Sequence, residues 1–457
     1  MSQLNIITGV VPALLTVAAA LALGYLLARR SGRWWRRAVP VTLGGAAALT
    51  AAAYLGLWLW NPFPDALPLP VLAWACLGLL GVALAGANAL AGGRWRRVAA
   101  VPALLLVLLT SAAQINAFYG YRPTLGAAIG GAVDDDTAFA DVAGSRPAAA
   151  RDQSEPLDRS WHPPAGPPAA GEVTQVDIPG TRSGFRARPA LVYLPPAYRA
   201  EPRPLLPVLV LISGQPGSPR DWFLAGAVPR TMDAFAAANG GLAPIVVVPD
   251  GTGSAFANPL CLDSPLGNAE TYLTKDVPDW VRGNLQVDPD TRRWAVGGFS
   301  YGGTCALQLA VRAPALFPTF LDISGQAEPS LGSRAETVRA AFGGDAARFH
   351  AVNPLDLLRT AAFPGSAGVL AAGTADRGDL ATARQIADTA RGSAMVLHTR
   401  AVPGGHSWVM AAEALRGTLP WLAGRQGLTP PTEPPPTARA EAAPAKPVKH
   451  HRRAAAR

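Results

Sequence analysis

Apolar residues crowd the first 120 positions, then give way to short apolar runs alternating with longer mixed segments. Four stretches, about Asn5 to Leu27, Val39 to Trp60, Pro70 to Leu90 and Val98 to Phe118, are each near the ~20 apolar residues a helix needs to cross a hydrocarbon core. No positive charge precedes the first, and three more follow it, so it reads as a span rather than a removable signal. From about 122 to 171 the chain is rich in Pro, Ala, Gly and charge, which predicts a flexible spacer. Beyond it, "RPALVYL", "LPVLVLI", "PIVVVPD", "RWAVGGF", "TFLDIS", "AGVLAAG" and "SAMVLHT" alternate with helix-length segments. Strands apolar throughout, separated by helices, predict a mostly parallel sheet covered on both faces. The expected organisation is four transmembrane helices over 1–120, a linker over 121–171, an α/β domain over 172–425 and a disordered Pro/Ala-rich basic tail over 426–457.

Charge sharpens the picture. Arg29, Arg30, Arg33, Arg36 and Arg37 follow the first span, and Arg94, Arg96 and Arg97 follow the third, whereas "NPFPDALPL" between the second and third has no basic residue. The positive-inside rule then places both arginine loops in the cytoplasm and the α/β domain outside, on a multi-pass plasma-membrane protein. With those eight arginines and a tail of about +4 set aside, the formal charge of +9 falls to about −3 for the rest. The basic pI is thus no sign of nucleic-acid binding.

"GGFSYGG" supplies the candidate chemistry. Gly298-Phe299-Ser300-Tyr301-Gly302 fits G-x-S-x-G, with a strand before and a helix after, the setting in which such a serine is a nucleophile on a strained turn. A serine hydroxyl needs a base and a group to orient that base. His406, in "AVPGGHSW" after the last strand, is the expected base; His350 and His398 read as structural. The acid should follow the strand ending "VLAAGTADRGDL". Asp376 is preferred as nearer the strand end, with Asp379 as the alternative. Oxyanion donors are expected at the backbone N–H of Tyr301 and of Gln215, the latter in "SGQPGS". Cys261 and Cys305 lie in a domain expected outside the cytoplasm, where a disulfide between them is possible; no Cys or His group has metal-ligand spacing, and no nucleotide loop is present.

From Ala190 to Leu422 the chain resembles the esterase branch of the α/β hydrolases that includes S-formylglutathione hydrolases and mycolyltransferases. The resemblance rests on "LISGQPGS" with "DWF", "NAETYLTKDVPDWV", "GGFSYGGTCALQLAVRAPALF", "GTAD" and "GGHSW". With the apolar region ahead of it, the chain is similar to membrane-anchored actinobacterial members. The resemblance implies an α/β-hydrolase fold, the Ser300, Asp376 and His406 triad, no cofactor, and an ester hydrolase or acyltransferase. Location suggests a lipid or glycolipid ester. The competing expectation is a non-catalytic envelope scaffold that keeps the fold.

Overall fold

The computed structural model describes residues 4–60, 67–129, 138–142, 144–149, 154–164, 166 and 168–433. The apolar region forms four helices, α1 (Val10–Leu27), α2 (Val39–Trp60), α3 (Leu69–Ala91) and α4 (Arg94–Tyr119). Each is long and apolar enough to cross a membrane, and at most 28% of any span's most apolar stretch is buried. Leu14, Leu21, Leu49, Leu55, Val101 and Leu105 accordingly point outward, as on helices that are apolar all round. α1 begins at Val10 rather than Asn5, because the Asn5 carboxamide accepts the N–H groups of Ile7 and Thr8 and holds the chain in a turn.

Close packing and a few polar contacts join the four helices. A Cβ on Gly81 would come within 2.8 Å of Val107, so α3 and α4 approach through the absent side chain. Thr110 Oγ1 donates to Leu15 O at 3.1 Å, and Asn88 Nδ2 to Leu26 O at 3.0 Å. At ~1.5 Å per residue, the length of α4 separates Arg94 from Tyr119 by about 38 Å. The arginine loops and the downstream domain therefore lie at opposite ends of the bundle. Residues 4–6 pair with 123–125 at the domain end.

The α/β part is built on β1 (Glu172–Val176), β2 (Ala190–Leu194), β3 (Val208–Ile212), β4 (Ile245–Val248), β7 (Ala295–Phe299), β8 (Thr319–Ile323), β9 (Ala367–Gly373) and β10 (Val396–Val402), with β5 (Asp263–Ser264) and β6 (Gly267–Asn268) forming a separate small hairpin. The order is β1-β2-β4-β3-β7-β8-β9-β10. β1 and β2 run antiparallel to their neighbours, and the other six strands are parallel. β3, β7, β8 and β9 are buried along their whole length. Val210, Val296, Leu307 and Phe320 pack on one side of the sheet, and Leu209, Leu321, Val369 and Leu415 on the other.

Parts of the expected spacer pack on the domain. Leu157 is buried, its N–H bonded to Gly427 O, and Trp161 Nε1 donates to Gly240 O at 2.8 Å. The Gln286 carboxamide meets both the N–H and the C=O of Arg146. Composition forecast too little apolar area for order, but one leucine, one tryptophan and backbone partners supplied by the domain suffice locally. Packing likewise continues past 425 through the buried Leu428. The basic tail from 434 onward, and linker positions 130–137 and 150–153, lie outside the described residues.

Candidate active site

β7 ends at Phe299, and the next residue turns sharply, with Ser300 at φ 58°, ψ −119°, a conformation costly for a side-chain-bearing residue. Both flanking glycines are required. A Cβ on Gly302 would collide with the Ile212 carbonyl, and one on Gly298 with the Gly302 backbone. The turn is secured by the Ser300 N–H donating to Ile323 O at 2.8 Å and the Thr304 N–H to Ser300 O at 3.1 Å. The helix Tyr301–Arg312 starts immediately, so the Tyr301 N–H is a first-turn donor with no intrahelical partner. The Tyr301 ring turns inward instead, donating from its hydroxyl to Gly251 O at 3.0 Å.

The loop after β3 passes beside the serine. A Cβ on Gly214 would stand 3.5 Å from Ser300 Cβ, and Gln215 lines the same cleft. Gln215 Nε2 donates to Phe256 O at 2.8 Å, tying this loop to the segment after β4. Cys261 and Cys305 are joined by a disulfide, Cα to Cα 5.5 Å, which fastens that segment to the Ser300 helix.

His406 follows β10, just before the helix Trp408–Arg425. Its ring lies 4.8 Å from the Phe299 ring, centroid to centroid, and its Nδ1 is 2.9 Å from Asp379 Oδ2. An ionised carboxylate can only accept, so in this pairing a neutral imidazole carries its proton on Nδ1. Asp376, the expected partner, caps the helix Arg377–Thr389, its Oδ1 accepting the Asp379 N–H at 3.0 Å. The carboxylate that meets His406 is thus Asp379, the alternative, rather than Asp376. A cap aspartate is committed to first-turn N–H groups, whereas the residue three positions later is free to reach outward. Asp376, Asp379 and His406 offer donor atoms within 4.8 Å of one another, among the described residues the one group of three that could hold a metal. Asp379 Oδ2 is engaged by the imidazole and Asp376 Oδ1 by the cap, so two of the three donor groups already serve hydrogen bonds.

Pattern reading passed over two features. Ser300, Thr304 and Gln308 recur every four residues on one face and line the cleft with Asn258, Gln326 and Ser330. That spacing was a legible signal of a shared face. Gln308 is 1% exposed; its Nε2 donates to Leu260 O, while its Oε1 has no partner among the described residues. Beneath the turn, Asp322 is buried, and its Oδ1 accepts the Gly325 N–H at 2.8 Å. Burial pushes its carboxyl up to about 7, against the Gly325 bond and with help from the Asp379 charge. The folded chain holds this proton to higher pH than the unfolded chain. Its contribution therefore falls as pH rises from about 4 to above 7, by ~4 kcal/mol at most. Asp322→Asn is expected to remove that slope, so that thermal midpoints of variant and wild type diverge in the variant's favour between pH 5 and 8.

The family model described as Putative esterase matches residues 185–422. An uncharacterized protein of Corynebacterium glutamicum is 37% identical over 421 residues, covering 90% of this chain and 94% of its own length. Among solved structures, a ferulic acid esterase is 19% identical at TM-score 0.49, over 56% of this chain and 98% of that one. The S-formylglutathione hydrolase of Agrobacterium tumefaciens is 19% identical at TM-score 0.48, over 57% and 97%. MPT51 of Mycobacterium tuberculosis is 19% identical at TM-score 0.40, over 56% and 99%.

Proposed function

Since the chain belongs to this esterase family, we propose that it is a membrane-anchored serine esterase or acyltransferase whose catalytic domain stands outside the cytoplasm. The observation that carries the reading is the join between His406 and Asp379, with the imidazole in tilted ring contact with Phe299, the residue before Ser300. Ser300 Oγ attacks an ester carbonyl while His406 Nε2 takes its proton, and Asp379 steadies the imidazolium. The tetrahedral oxyanion is met by the N–H groups of Tyr301 and Gln215. His406 then returns the proton to the departing alcohol, leaving an acyl group on Ser300. Water or an acceptor hydroxyl, activated by the same imidazole, releases it.

The opposed ends of α4 support the orientation, since arginines gather at one end and the domain at the other. The disulfide suits an oxidising compartment. A domain held at the bilayer surface favours an ester carried on a lipid or glycolipid. The cleft at Ser300 is lined by Gln215, Asn258, Thr304 and Gln326 beside Leu260 and Pro329, so polar and apolar groups both face an incoming ester. The test is to incubate the purified full-length chain with an activated acetyl ester, with and without a sugar acceptor, and to identify products by mass spectrometry. Acetylated sugar establishes transfer and free acid alone establishes hydrolysis. Absence of turnover, together with no fluorophosphonate labelling of the folded chain, would leave the scaffold reading.

A further inference from the structure

The residues that leave α4 are built as a seat rather than a hinge. Asn116 closes the turn twice, its Nδ2 donating to Arg122 O and its Oδ1 accepting the Arg122 N–H, both at 2.8 Å. Gly120, at φ 64°, lies so close to the helix Trp408–Arg425 that a Cβ there would come within 2.8 Å of Val409. The Tyr121 hydroxyl donates to Asp221 Oδ2 at 2.8 Å, and the Arg122 guanidinium stands 3.5 Å from Asp221 Oδ1.

Asp221 is an unusual carboxylate. It is fully buried, and burial pushes its carboxyl up against the Ser218, Tyr121 and Arg122 interactions that favour the charge. Part of what balances it therefore comes from the segment after α4. Asp221 Oδ2 also accepts the Ser218 N–H at 2.7 Å, which ties it to the loop bearing Gln215. Its neighbour Trp222 begins an unbroken aromatic contact path: Trp222 to Trp408 at 5.1 Å, Trp408 to Phe299 at 5.0 Å, Phe299 to His406 at 4.8 Å. Through Asp221 and Val409 the one segment bears on both loops that must face Ser300.

We propose that Tyr121 and Asp221 are a positioning pair through which the membrane helix holds the Gln215 loop and the His406 loop in register with Ser300, so that the catalytic domain is fully competent only while seated on α4. This rests on the esterase reading. Neither residue reaches the reacting atoms; both act through the loops they brace. Loop displacements of an ångström are enough to cost an enzyme one or two orders of magnitude in rate. A residue that serves stability alone would leave the turnover of the folded fraction untouched.

The test uses the full chain in detergent micelles with p-nitrophenyl acetate and a fluorophosphonate probe. Tyr121→Phe is expected to lower kcat about tenfold at unchanged KM, to slow labelling equally, and to speed hydrogen exchange over 213–222 and 403–409, all at a temperature where circular dichroism shows it folded. Combined with Asp221→Asn it should lose little more than the worse single variant, because the two act as a unit. Arg122→Gln provides a second reading should Tyr121→Phe fold poorly, with an expected loss of about threefold in kcat. Variants within twofold of wild type in kcat would overturn the proposal while leaving the esterase intact. A wild type that neither turns over nor labels would instead remove the esterase reading and this inference with it.

Discussion

Ser300→Ala is expected to fold as the wild type does and to lose turnover of an activated ester by on the order of 10⁴- to 10⁶-fold. Alanine keeps the Cβ, so the left-handed turn at φ 58° is no more strained than before. The bonds that secure it, Ser300 N–H to Ile323 O and Thr304 N–H to Ser300 O, use backbone atoms and survive. What disappears is the hydroxyl proposed to form the acyl bond, and the expected residual rate is that of the oxyanion donors and of binding. Fluorophosphonate labelling, followed by peptide mapping, checks the same point without a substrate. Label on the alanine variant, or on a serine other than Ser300 in the wild type, would move the nucleophile elsewhere.

Asp379→Asn should cost kcat about 10³- to 10⁴-fold, because an amide offers the imidazole its N–H as readily as its carbonyl and no longer enforces the tautomer with the proton on Nδ1. Asp376→Asn is the matched control. Asparagine caps a helix nearly as well as aspartate, so the variant should stay within a few-fold of wild-type kcat and within ~0.5 kcal/mol in stability. The contrast follows from two bonds: His406 Nδ1 to Asp379 at 2.9 Å, and the Asp379 N–H to Asp376 Oδ1 at 3.0 Å. Steady-state kinetics on both variants decide it, and a large loss at Asp376 with little at Asp379 would return the acid to the residue nearer the strand.

These two aspartates mark where pattern reading stops. They stand three residues apart at the start of one helix, both just past β9, and linear distance favoured Asp376. Which side chain turns back to cap and which reaches across to β10's loop depends on the crossing of two segments 27 residues apart. Ser300, by contrast, was legible because its chemistry is local: the glycines, the preceding strand and the following helix all lie within a few residues of it. Asp322 gave no signal, since an aspartate closing an apolar strand looks like an ordinary loop boundary until the sheet buries it.

By itself the sequence determined the four long apolar helices, the alternation that makes a mostly parallel sheet, and the turn that presents Ser300. Each follows from residue type and short-range spacing, through backbone hydrogen bonding, burial of apolar faces and the steric freedom of glycine. Only the tertiary structure decided that Asp379 meets His406, that Gln308 lines the cleft, and that Tyr121 meets Asp221 from 100 residues away. A hydrogen bond has a reach of about 3 Å, and chain positions carry no such distance until the segments pack.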